Sequence, residues 1–187
     1  LYVRKKDIDA QQLTVLRDVT FETKLVMAGE MVTEAAKWVK SLDRKLWVVT
    51  DGAYAKRPFL QAAAEAKAIV VSRLRKDAAL FDVPPPRKPG ERRPQGRPRT
   101  YGKNRISLAK RAGHREGWQT DEFVLYNKKV KKTYKTFLAT YEPVGGKIRV
   151  VLVKEKHGWF AYFCTKADAS VQEILETVAD RAAIEQN

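Results

Sequence analysis

Two carboxylates stand where phosphoryl chemistry is possible. Asp51 follows the apolar run Leu46-Trp47-Val48-Val49-Thr50, and Glu185 follows the stripe Val171, Ile174, Leu175, Val178 and Ala182. An aspartate at the carboxyl end of an apolar strand lies at the mouth where open α/β sheets bind ligands. The same aspartate followed by Gly52 also suits a turn cap, and spacing alone leaves both readings open. Glu185 falls three residues after Ala182, on the helix face that should meet the core. Unpaired and ionised there, it would cost on the order of 3 kcal/mol or more, so it needs a cation or hydrogen-bond donors. Arg181, one turn earlier, is the structural partner; a metal ion is the chemical one. Together, Asp51 and Glu185 offer the hard oxygen ligands with which a Mg²⁺ pair clamps the attacking and leaving oxygens of an in-line phosphoryl transfer.

The elements that must position them alternate. Leu25, Ala28, Val32, Ala35, Val39 and Leu42 recur at spacings of three and four, which predicts one long amphipathic helix. Leu46 to Thr50 is short and continuously apolar, as expected of a central strand covered on both faces. Pro58 suits the first turn of a helix through Lys67, and Ala68 to Leu74 reads as a second buried strand. Helix, strand, helix, strand implies an α/β core with a largely parallel sheet. Past Trp118 the pattern turns to strands at Glu122–Tyr126, Thr133–Tyr141, Lys147–Lys154 and Trp159–Thr165, a meander of hairpins. Ser170-Val171-Gln172-Glu173 has the form of a capping box and opens a final helix. The expected organisation is a core over 1–75, a basic Pro-rich loop over 76–118, a β-rich unit over 119–166 and a return helix over 167–187.

Charge points to a polyanionic partner. The chain carries 37 Lys and Arg against 22 Asp and Glu, a net charge of +15, and phosphates displace counterions from such a surface. DNA is the first partner to expect. No run approaches the roughly 18 apolar residues of a spanning helix, and no signal-peptide pattern opens the chain, so the reading is intracellular, with no membrane partner. Between Arg73 and Arg115, fourteen basic residues face three acids, and six of the eight prolines fall between Pro84 and Pro98. That stretch is expected to be an extended loop that binds phosphates without sequence preference. Within it, Gln95-Gly96-Arg97-Pro98-Arg99 is similar to the Arg-Gly-Arg-Pro core of A·T-hook peptides, which makes Arg97 and Arg99 candidate DNA contacts. Lys128, Lys129, Lys131, Lys132 and Lys135 crowd one hairpin and repel one another unless phosphate lies nearby. Cys164, the one cysteine, sits in an apolar aromatic strand and reads as a buried structural thiol. His114 and His157 have no partner at metal-ligand spacing.

Val48-Val49-Thr50-Asp51-Gly52-Ala53-Tyr54, followed far downstream by Ala179-Asp180-Arg181-Ala182-Ala183-Ile184-Glu185-Gln186, resembles the DDE superfamily of bacterial insertion-sequence transposases. The branch it resembles carries a β-rich insertion before the last catalytic residue. The resemblance implies an RNase H-like mixed sheet flanked by helices, presenting Asp, Asp and Glu to two Mg²⁺ ions, for which Mn²⁺ substitutes. Asp51 matches the second of these ligands and Glu185 the third. It further implies cleavage and strand transfer at transposon ends by a homodimer acting on transposon and target DNA, in the cytoplasm at the nucleoid. The branch signature Tyr-x2-Arg-x3-Glu-x6-Lys is kept at Arg181 and Glu185, which makes Arg181 a phosphate ligand or a partner of the glutamate. Val178 stands where the Tyr would be, and the Lys position falls beyond Asn187. Trp159 lies where relatives place a tryptophan that stacks on a flipped base; a place in the core is its other reading. The first Asp of the triad is expected upstream of this chain, because Asp7 and Asp9 lie too close to the long helix. This predicts a fragment inactive by itself, with a nonenzymatic DNA-binding relic as the rival reading.

Overall fold

The computed structural model describes residues 22–86, 90 and 96–186, and of residues 182–186 the backbone alone. Asp7, Asp9 and, within the Pro-rich loop, residues 87–89 and 91–95, Gln95 among them, lie outside the described residues. Helix α1 (Lys24–Ser41) starts at Thr23, whose hydroxyl accepts from the Val26 N–H at 3.4 Å. Strand β1 (Trp47–Thr50) leads through a 3₁₀ turn at Gly52–Tyr54 to α2 (Arg57–Glu65), which carries Pro58 in its first turn. Strand β2 (Ile69–Leu74) then pairs in parallel with β1, Thr50 opposite Ser72.

The chain continues through β3 (Leu80–Phe81), β4 (Arg105–Ile106) and a short helix α3 (Leu108–Gly113). Strands β5 (Gln119–Leu125), β6 (Lys128–Tyr141), β7 (Gly146–Glu155) and β8 (Gly158–Cys164) follow, and α4 (Val171–Gln186) ends the described chain. Ser170 and Glu173 form the expected capping box: each backbone N–H donates to the other's side chain, at 2.7 and 3.1 Å. These bonds, with Lys166 at 3.1 Å, hold the Glu173 carboxyl below its ordinary range. That part of the stability is present at neutral pH and is lost as pH falls through the lowered value.

One eight-stranded mixed sheet contains every described strand: seven run in the order β1-β2-β8-β7-β6-β3-β4, and β5 pairs with β6 beside this path. Strand β8 pairs antiparallel with β2, so the sheet begun by β1 and β2 continues into the strands at 119–166. Both faces of the sheet are covered. Val70, Val150, Leu152 and Phe163 face the cluster that includes α1 and α2, while Val71, Val151, Val153 and Cys164 face α4. This is the mixed α/β architecture expected of an RNase H-like fold.

Three sequence expectations change. Strand β1, read as central, pairs only with β2 among the described residues and is partly exposed along its whole length. The helix α1 stripe is narrower than its periodicity suggests: Gly29 and Val32 are buried, whereas Leu42 is 68% exposed. The reason is that α1 packs chiefly on α2, and one helix covers only a narrow strip of another. The third concerns Lys135, which leaves the solvated lysine cluster. It is buried, and its Nζ donates to the carbonyls of Arg111 at 2.9 Å and His114 at 2.6 Å, fastening the end of α3 to β6.

The Pro-rich loop is closed at its neck. Asp82 accepts from the Asn104 N–H at 3.1 Å and from Asn104 Nδ2 at 2.7 Å, and its carbonyl accepts from the Gly102 N–H at 3.0 Å. A Cβ at position 102 would meet Asp82 Oδ1 at 1.6 Å and its backbone oxygen at 2.3 Å. Gly102→Ala should therefore open the neck at a cost of about 1–3 kcal/mol, seen as a melting midpoint several degrees lower.

Cys164 is fully buried, and burial pushes its thiol up to about 11. Two results should follow. Iodoacetamide should leave the folded protein unmodified at pH 8 and alkylate it only in denaturant. Because the folded value is raised, this group's share of stability is whole below about pH 9 and declines as pH rises towards about 11.

Candidate active site

Asp51 leaves the end of β1, just past the point where Thr50 lies opposite Ser72 of β2. Its backbone remains extended, at φ −69° and ψ 155°, and its Oδ1 accepts from the Ala53 N–H at 3.2 Å, capping the 3₁₀ turn. The turn-cap reading of Asp51 is thus realised, and it occupies only one carboxylate oxygen. Oδ2 lies 4.0 Å from Arg181 Nη2 on α4, with both side chains partly exposed. A pair of that kind is worth no more than about 1 kcal/mol. It does little for the fold and leaves Oδ2 at the surface of a small cleft.

The backbone beneath Asp51 is tightly fitted. A Cβ on Gly52 would come within 2.9 Å of the Arg73 carbonyl oxygen, so only glycine allows the chain to turn this close to β2. Ser72 is buried, and its hydroxyl donates to the Asp51 carbonyl at 3.1 Å. In a strand that otherwise reads Ile69-Val70-Val71, this hydroxyl ties the residue after β1 to the neighbouring strand. Ser72→Ala should let Asp51 swing. DNA cleavage by the protein extended to a complete active site should fall about tenfold, and Ser72→Thr, which keeps the hydroxyl, should recover most of it.

The cleft, about 230 Å³, is lined by Thr50, Asp51, Arg73, Tyr126, Tyr162 and Arg181, among others. Arg73 stacks over the Phe160 ring at 4.2 Å. Burial raises the Tyr162 phenol more than nearby Arg73 lowers it, so it stays protonated and able to donate. Tyr126 comes from the tip of the β5–β6 hairpin. Both residues of that two-residue turn, Tyr126 and Asn127, are left-handed, at φ 55° and 58°. A bulky residue is unusual there and the conformation costs on the order of 1 kcal/mol, yet it places a half-exposed ring beside Asp51. Two guanidiniums, two phenols and one carboxylate around a cleft suit the oxygens of a phosphodiester.

The sequence-predicted residues are distributed unevenly about this cleft. Asp51 and Arg181 meet in it. Glu185 follows Arg181 by one turn on α4, and its side chain lies outside the described residues. Lys128, Lys129, Lys131 and Lys132 lie on the hairpin that carries Tyr126, but they divide. Lys129 lies 3.5 Å from Glu122 on β5 and Lys132 lies 2.6 Å from Glu155 on β7, so acids on the two neighbouring strands relieve the expected repulsion. Lys128 and Lys131 remain exposed. Trp159 packs against the cluster on the α1 and α2 side, under Lys76 Nζ at 5.0 Å, and does not line the cleft. Arg97 and Arg99 are exposed and do not line it either.

Sequence reasoning passed over Ser72, Arg73, Tyr126 and Tyr162. Ser72 had a signal, a hydroxyl inside an apolar strand. Tyr126 had none, because its importance depends on where the hairpin folds.

Among the described residues, no group of three or more His, Cys, Asp or Glu side chains comes together to hold a metal ion. Asp51, with Oδ2 accepting no hydrogen bond, supplies one hard ligand; a divalent ion needs others from outside the described side chains.

Comparison with known families decides the class. A family model described as DDE superfamily endonuclease matches residues 7–132, more than half of the chain. The chain belongs to this family. No curated protein matches it. The matched span of the DDE endonuclease includes Asp51, Ser72, Arg73 and Tyr126, and stops before Trp159, Arg181 and Glu185. An endonuclease class of activity accords with a carboxylate set among guanidinium and phenol groups.

Proposed function

We propose that this DDE endonuclease domain is the catalytic part of a DNA transposase, cutting phosphodiesters at transposon ends and joining them to target DNA. The observation that carries the reading is the meeting of Asp51, Arg181, Arg73 and Tyr126 in one cleft, drawn from β1, α4, β2 and the β5–β6 hairpin. Asp51 and Glu185 would hold Mg²⁺ together with an aspartate from elsewhere in the protein. A bound pair would supply activation of the attacking hydroxyl and charge stabilisation for the leaving oxygen. Arg181 and Arg73 draw the scissile phosphate into the cleft, and Tyr162 donates to one of its oxygens. Tyr126 walls the cleft and, with Lys128 and Lys131, holds the strand across its mouth.

In this reading residues 1–75 and 167–187 form the catalytic core, 119–166 the DNA-gripping unit, and 76–118, with Arg97 and Arg99, a nonspecific phosphate arm. Trp159 supports the unit from within, and the active species is a homodimer at the nucleoid. No described helix is long and apolar enough to cross a membrane.

The test is nicking of supercoiled plasmid by the protein extended upstream through a strand-borne aspartate. Nicking should require Mg²⁺ or Mn²⁺, stop with chelator and be lost in Glu185→Ala. Tight DNA binding without metal-dependent nicking would instead identify a nonenzymatic DNA-binding relic.

A further inference from the structure

The opposite ends of β1 and β2 carry a second basic concavity that the cleavage chemistry does not use. It measures about 670 Å³ and lies between the C-terminal ends of α1 and α2 and the loop before α4. Its rim holds Lys40 from α1, Arg44 and Lys45 from the following loop, Lys67 from the turn after α2, and Lys166 before α4. Asp168 is the one acid among the described lining residues. Lys166 is paired with Glu173 at 3.1 Å. Lys40, Arg44, Lys45 and Lys67 have no ion pair or hydrogen-bonded side-chain partner among the described residues, and all four are exposed.

Two features set this rim apart from an ordinary solvated surface. Lys67 is left-handed, at φ 57°, in the position after a helix where glycine or asparagine is usual. Keeping a lysine there costs on the order of 1 kcal/mol, and its side chain lines the basin. The basin also stays open between the cations, over an apolar floor in which four alanines lie among Leu46, Leu60, Ile69, Val70 and Val144. The C-terminal ends of α1 and α2 favour nearby cations by a few tenths of a kcal/mol each. That accounts for basic residues near these ends, but not for a left-handed lysine or an unfilled basin.

We infer that this basin is a second DNA-binding site, which takes the sugar–phosphate ridge of a duplex other than the segment held at Asp51. The inference rests on the reading that the protein handles DNA. Long exposed cations around an open basin suit a chain of phosphates, the part of a duplex that carries no sequence information. Lys45 and Asp51 flank β1, so the two sites lie at opposite ends of the same strands, at most about 20 Å apart. Whether each takes a duplex of its own is read directly from the stoichiometry of the complex.

The experiment uses the 187-residue chain and a fluorescein-labelled 12-base-pair duplex, titrated by anisotropy over a range of salt. The quadruple variant Lys40→Gln, Arg44→Gln, Lys45→Gln, Lys67→Gln should lower the slope of log K against log salt by about 3 to 4. Native mass spectrometry should show the parent holding two duplexes and the variant one, with the melting midpoint unchanged. If the quadruple variant misfolds, Lys40→Gln with Lys67→Gln should lower the slope by about 2. Unchanged slope and stoichiometry would overturn the proposal. So would binding of a polyglutamate peptide that the variant loses while its DNA slope stays the same, because the basin would then serve an acidic protein. The readings fail separately: a basin that holds DNA in a protein that never nicks would sink the catalytic proposal alone, and metal-dependent nicking with an unchanged slope would sink only this one.

Discussion

Asp51→Asn, in the protein extended to a complete active site, should reduce metal-dependent DNA nicking by about 10³-fold or more, some 4 kcal/mol of transition-state stabilisation. The substitution separates the two jobs of this residue. An asparagine oxygen can still accept from the Ala53 N–H, so the cap on the 3₁₀ turn survives. The ion pair that it removes, at 4.0 Å between partly exposed groups, contributes no more than about 1 kcal/mol. The melting midpoint should therefore move by only a few degrees while the chemistry is lost. DNA affinity measured without metal should hold or rise slightly, because a negative charge leaves a phosphate-binding cleft. An Asp51→Asn protein that nicks DNA at the parental rate would remove Asp51 from the mechanism, and one that unfolds would mean the cap, not the charge, matters most.

Phe163→Ala should have the largest effect on stability, about 3–5 kcal/mol, or a fall in the melting midpoint of roughly 10 °C or more. Phe163 is fully buried on β8 between β2 and β7, and its ring meets Tyr141 edge to face at 5.7 Å between centroids. Truncation leaves a cavity in the cluster beneath α1 and α2 and frees the Tyr141 ring. The Tyr141 hydroxyl donates to the Ala55 carbonyl at 3.4 Å, just beyond the turn that Asp51 caps. The loss should reach the cleft as well, so that the protein still folded at 20 °C nicks DNA more slowly than its folded fraction accounts for. Chemical denaturation with parallel activity measurements would show this, and a purely proportional loss would confine Phe163 to the core.

Much of this fold is legible in residue patterns because local physics writes it there. The 3.6-residue rhythm of α1, Pro58 at the start of α2, and the Ser170 and Glu173 box each depend on neighbours within a turn or two. The same holds for the strand runs from β5 to β8. What the patterns misjudge is coverage. Leu46 to Thr50 is as apolar as a central strand, yet among the described residues β1 has a neighbour on one side alone. Composition records how hydrophobic a segment is, not what lies beside it. The lysine cluster shows the same limit: strand pairing and long-range contacts give Lys129 and Lys132 acidic partners and bury Lys135.

From the sequence by itself come the family resemblance, the α/β class, the candidate residues Asp51, Arg181 and Glu185, and the polyanion-seeking charge. Each is a matter of residue type and short spacing. Tertiary structure alone decided that Asp51 and Arg181, 130 positions apart in the chain, share one cleft. It also decided that Ser72 fastens the Asp51 backbone and that a strained hairpin turn sets Tyr126 beside it. The physical reason is that these are contacts between elements. Their existence depends on sheet order, register and the path of the chain between them, none of which local propensity encodes.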